Sequence, residues 1–113
     1  MNLTTGEELR DVCFKNEIDY PTAATAMSVL KASEALVVYP TNNLGETRTI
    51  LRMITSIMNK SILVEIFPKT GSSLVGVKVT QRKKDRDHSI EFWGPMSIGQ
   101  KSFEEVIQAV LAY

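Results

Sequence analysis

Three stretches in the second half of the chain alternate apolar and polar residues with a period of two. Ile62, Val64 and Ile66 mark the first, Val75, Val77 and Val79 the second, and Ile90 and Phe92 the third. That period sets the named residues on one face of a β-strand and their neighbours on the other. Turn-forming residues, Pro68-Lys69-Thr70-Gly71 and the run from Lys83 to Asp87, separate the stretches. The pattern predicts an antiparallel meander with one buried face and one wet face. Lys78, Thr80 and Arg82 fall on the wet face of the second strand, Glu91 and Trp93 on that of the third.

Helical spacing brackets this meander. Thr4-Thr5-Gly6-Glu7 has the form of a capping box, followed by Leu9, Val12 and Cys13, which predicts a first helix over about 5–15. Pro21 suits the first turn of a second helix reaching about Ser33, with Ala23, Ala26, Met27 and Leu30 on one face. The apolar run Ala35 to Tyr39, stopped by Pro40, reads as a buried strand. Asn42 or Asn43 can cap a third helix, with Ile50, Leu51, Ile54, Ile57 and Met58 as its apolar stripe and its end near Asn59-Lys60. Ser102-Phe103-Glu104-Glu105 is a second capping box, and Phe103, Val106, Ile107, Val110 and Leu111 form the stripe of a last helix. The expected order is α-α-β-α-β-β-β-α. That is an α+β fold over residues 1–113, a three- or four-stranded, largely antiparallel sheet with helices packed on one face. Ile54 and Val77, central in their stripes, are expected in the core.

Composition narrows the chemistry. The 113 residues carry 13 Lys plus Arg and 13 Asp plus Glu, and this neutrality argues against a dedicated nucleic-acid binder, which is usually basic overall. Cys13 is the sole cysteine and His88 the sole histidine, so neither an internal disulfide nor a Cys/His zinc site is expected, and no cofactor. The polar, acidic start lacks the features of a signal peptide, and no apolar run approaches a membrane span. A cytoplasmic location without membrane contact is the expectation.

No catalytic constellation stands out, and the chain is expected not to be an enzyme. Cys13 lies on the apolar face of its helix, where cysteine behaves as a small hydrophobe. Glu7, Glu8, Glu104 and Glu105 sit in first helical turns, where negative charge complements the helix dipole. The loop from Pro40 to Arg48 lacks a phosphate-loop motif, so ordinary capping accounts for it. Gln81-Arg82-Lys83 is similar to the Gln-x-Lys variant of restriction-type nuclease sites, which also need an acid on the preceding strand, where only Glu65 is available. The run α-β-β-β-α resembles double-stranded-RNA-binding domains in topology alone, because Glu104 and Glu105 stand where those domains need basic residues.

Two candidate contact surfaces remain. In the first, Trp93 on the wet face joins Met96 and Ile98 as an anchor for another protein, or for a second copy in a homodimer. In the second, Lys78, Arg82, Lys83, Lys84 and Arg86 make a basic hairpin for nucleic acid. Protein binding, in a regulatory role, is the leading expectation and nucleic-acid binding the runner-up. A small hydrolase or nuclease built from Glu65, Asp85 and Asp87 is the third.

Overall fold

The computed structural model describes residues 2–32, 34–71 and 74–113, with side chains from Glu8 onward. The elements are β1 (Asn2–Thr5), α1 (Gly6–Lys15), α2 (Tyr20–Leu30), β2 (Glu34–Val38), β3 (Ile50–Ile57), β4 (Lys60–Ile66), β5 (Leu74–Arg82), β6 (His88–Pro95) and α3 (Gln100–Leu111). Strands β2 to β6 form a five-stranded antiparallel meander, and β1 pairs with β2 to extend that edge, giving the order β1-β2-β3-β4-β5-β6. The fold is α+β, as expected, but the sheet is larger than the three or four strands expected, and among the described residues there are three helices where four were expected, because the segment expected as a third helix joins the sheet. The Thr4 and Glu7 side chains of the first capping box lie outside the described residues. The backbone there enters α1 at Gly6 straight from β1.

The segment expected as a third helix is β3. Its residues admit both periods. Ile50, Leu51, Ile54, Ile57 and Met58 match helical spacing, whereas Leu51, Met53, Thr55 and Ile57 alternate. The strand wins because β4 follows at hairpin distance and pairs with it residue by residue, from Ile57↔Lys60 to Leu51↔Ile66. β-branched Ile and Thr also fit a pleated surface better than a helix. Ile54 is correspondingly not in the core: it lies on the opposite face from Leu51 and is 56% exposed. Asn42 still makes the local hydrogen bonds expected of it, but in a turn. Its Oδ1 accepts from Leu44 N at 2.9 Å and Glu46 N at 3.0 Å, within the β2–β3 connection.

Met58 and Asn59 make the two-residue turn between β3 and β4, at φ 53° and 62°. Two successive positive φ values define a turn that favours Asn-Gly, since other L-residues pay about 1–2 kcal/mol in the left-handed region. The double change Met58→Asn, Asn59→Gly is therefore expected to raise the unfolding free energy by about 1 kcal/mol, read from the denaturant midpoint. A lower midpoint would show that the exposed Met58 side chain matters more than its backbone.

All three helices cover one sheet face. Leu51, Met53, Ile62, Val64, Ile66, Val75, Val77 and Val79 form one apolar cluster with Leu9, Cys13, Ala26 and Leu30 of the first two helices and Phe103, Ile107 and Val110 of α3. Val77 is thus core, as its alternation implies. Asp19 caps α2, with Pro21 in its first turn. Gly99, not Ser102, is the N-cap of α3, so the second capping box is not used and Ser102 lies inside the helix. The far end of α3 is capped from the sheet. Gln81 Nε2 donates to Val110 O and Lys60 Nζ to Leu111 O, each at 2.7 Å, supplying partners to carbonyls that a helix terminus leaves free.

Candidate functional site

Among the described residues no helix covers the other sheet face, and its residues fall into rows set by strand register. One row carries alternating charge: Arg52 of β3, Glu65 of β4, Lys78 of β5 and Glu91 of β6 are successive cross-strand partners. Arg52 Nη2 bonds Glu65 Oε2 at 2.9 Å, with Nε at 3.3 Å. Neither Lys78 nor Glu91 makes a side-chain hydrogen bond or ion pair among the described residues.

The next row is apolar. Val38 pairs with Ile50, and Gly76 pairs with Trp93. Phe67, just beyond the end of β4, donates its backbone N–H to Gly76 O at 2.9 Å. Val38, Ile50 and Phe67 form a second buried cluster, separate from the core beneath the helices. The Trp93 ring lies flat over Gly76, so close that a Cβ on Gly76 would sit 2.6–2.8 Å from ring carbons. It stacks beside Phe67 with centroids 6.0 Å apart and planes 17° from parallel, and the Arg48 guanidinium sits 4.2 Å from the Phe67 centroid. Trp93 is nevertheless 42% exposed, and Leu74 on the same face is exposed as well. Contact with Gly76 beneath and Phe67 beside it restricts the rotamers open to this ring.

Compared with family models, with curated proteins and with solved structures, the chain matches none.

The residues grouped from sequence do not all meet here. Ile98 is 7% exposed and belongs to the core beneath the helices, so it leaves the proposed patch. Its backbone N–H donates to Thr22 Oγ1 at 3.1 Å, which draws the β6–α3 loop inward under α2. Met96 is exposed but lines a separate cleft of about 430 Å³ between α1, α2 and Lys69, beside Cys13 and Phe14. Trp93 keeps its place on the open face, with Phe67, Gly76, Leu74 and Arg48 as companions instead. Sequence signals for two of these exist: a glycine inside a strand marks close approach of another group, and Phe67 breaks the alternation of Ile62, Val64 and Ile66.

The basic hairpin also divides. Lys78 sits in the middle of the sheet within the charged row, not at the hairpin. Lys83 Nζ donates to Tyr113 O at 2.7 Å, and Tyr113 stacks on His88 at 4.6 Å. Arg82, Lys84 and Arg86 remain exposed, in company with Asp85 and Asp87. Gln81, first in the nuclease-like motif, points to the helix side and caps α3.

The three acids of the hydrolase reading are not gathered. Glu65 is tied to Arg52 in mid-sheet, whereas Asp85 and Asp87 lie in the β5–β6 turn, beyond Arg82, which is itself four strand residues or about 13 Å along β5 from Lys78, the partner of Glu65. Among the described residues, no three acidic, cysteine or histidine side chains come together to hold a metal ion. Burial, with the Asp19 charge adding to it, pushes the Cys13 thiol up to about 11. It is therefore a protonated core group at neutral pH, and the thiol is the unreactive form. No helix among the described residues is long and apolar enough to cross a membrane.

Proposed function

We propose that this chain is a protein-binding module, acting through the open sheet face around Trp93. The observation that carries the proposal is an aromatic ring seated on Gly76 and braced by Phe67, yet 42% exposed on a face that no helix among the described residues covers. Covering such a ring recovers apolar burial worth about 1–2 kcal/mol, and the ordering cost is lower because Gly76 and Phe67 restrict its rotamers. Tryptophan is among the residues most enriched in interface hot spots.

Nucleic-acid binding draws less support. The turn cations lie beyond His88, which is about 17 Å from Trp93 along β6, with the acidic Glu91 between, so basic tip and aromatic surface do not form one strip. A strand of phosphates crossing that face would meet Glu91 and Glu65.

Affinity capture from the host with nuclease present tests the proposal. A protein partner is expected on the wild type, lost from Trp93→Ser and retained by Lys84→Glu, Arg86→Glu. Capture that depends on intact nucleic acid, or that is equal for wild type and Trp93→Ser, would overturn it. Circular dichroism of Trp93→Ser should match the wild type, since the ring stands outside the main core.

A further inference from the structure

We infer that the free edge of β6 binds an extended peptide by strand addition, with a basic residue of that peptide placed opposite Glu91 and an apolar one opposite Trp93. The inference rests on the reading of the Trp93 face as a binding surface and names what it takes.

The edge is open. β6 ends the sheet, and among the described residues its backbone pairs only with β5. Its helix-side residues Ile90 and Phe92 are only partly buried, the Phe92 ring standing edge-on to Phe103 of α3, whereas Val77 and Val79 beside them are fully buried, so the flank of the core is only partly covered there. Proteins usually blunt such an edge with a bulge, an inward charge or an internal proline. Here eight consecutive pairs run without a bulge from Gln81↔His88 to Leu74↔Pro95, and the only proline is the last residue. The outward N–H and C=O groups of β6 thus offer a regular template for main-chain hydrogen bonds.

Side chains select the occupant. Across the open face the charges run Arg52, Glu65, Lys78, Glu91, and the series stops at an acid with no partner beyond it. The next strand completes the alternation if it carries Lys or Arg in that register, since opposite charges directly across a sheet attract and like charges repel. A second copy cannot supply it. Antiparallel self-pairing of β6 that keeps like faces together sets Ser89, Glu91 or Trp93 opposite Glu91, and the other sheet edge, β1, reads Asn-Leu-Thr-Thr. The occupant is therefore a different chain. It has a basic residue at one position, an apolar residue two places away opposite Trp93, and apolar residues between and after them, packed against Ile90 and Phe92.

A blocked synthetic peptide containing Leu-Val-Lys-Val-Thr is the probe, and Trp93 emission with calorimetry the readout. Wild type is expected to bind it and to favour it about tenfold over the same peptide with Glu in place of Lys. Glu91→Lys should invert that preference, a result that misfolding cannot produce. Methylating one alternate set of peptide nitrogens should abolish binding and methylating the other should spare it. Equal affinity for the Lys and Glu peptides, no preference change in Glu91→Lys, or indifference to both methylation sets would overturn the inference. So would a concentration-dependent dimer in sedimentation that the peptide fails to compete with. Failure of every peptide alongside host capture that still needs Trp93 would sink the strand addition alone. Peptide binding unchanged in Trp93→Ser would keep the edge and remove the aromatic anchor.

Discussion

Leu51→Ala is expected to lower the unfolding free energy by about 3 kcal/mol, and Ile54→Ala, three residues on, by less than about 1 kcal/mol. Leu51 is fully buried between Val37 and Ile66, its neighbours on β2 and β4, on the face the helices cover. Truncating it leaves a cavity in a core whose surrounding strands are hydrogen-bonded on both sides and cannot collapse into it. Ile54 projects from the open face and is more than half in water, so little apolar area is lost with it. A helix across this segment would put both residues on one stripe and make the two costs similar. Denaturant midpoints for the pair decide between the two structures: equal losses would refute the β3 assignment, and a gap of about 2 kcal/mol supports it.

The helical spacing of apolar residues across β3 has a specific cause. Alternation is visible only where one sheet face is polar. Ile50 is apolar on the open face because Val38 and Phe67 cover it, and Met58 is apolar in an exposed turn. Both fall at helical spacing from Ile54, and neither has a partner that can be inferred locally. β4, β5 and β6 were legible because their open-face residues, among them Lys78, Thr80 and Glu91, are polar enough to show the period. α3 was legible because its stripe is long, although its start was not: Gly99 caps it without a side-chain bond. The site was half legible for the same reason. Alternation alone sends Trp93 to the open face. Its seat on Gly76 depends on strand register across a nine-residue β5, and the burial of Ile98 depends on α2, far away in sequence.

That long-range tie to α2 carries the other large effect expected. Asp19 is a carboxylate only 5% exposed, and its Oδ2 is shared by three donors. Thr22 Oγ1 donates at 2.5 Å, Ser97 N at 2.7 Å and Thr22 N at 3.4 Å, while Thr22 Oγ1 in turn accepts from Ile98 N. One side chain thus caps α2 and pins the β6–α3 loop, where Ser97 is held at φ 64°. Asp19→Ala removes the cap and leaves the Ser97 N–H without its acceptor, and together these should cost about 2–4 kcal/mol. Asp19→Asn keeps an acceptor oxygen but lacks the charge, so it should cost less. Cys13 gives an independent readout, because the Asp19 charge adds to the burial that raises its thiol to about 11. Between the unfolded value of 9.0 and that folded value, the unfolded chain holds fewer protons, so wild-type stability should fall as pH rises through this window. In Asp19→Ala the window should narrow from its upper end, since burial alone remains to hold the proton. An Asp19→Ala protein as stable as the wild type would mean that the β6–α3 loop is held by the packing of Ile98 and Phe103 and not by this carboxylate.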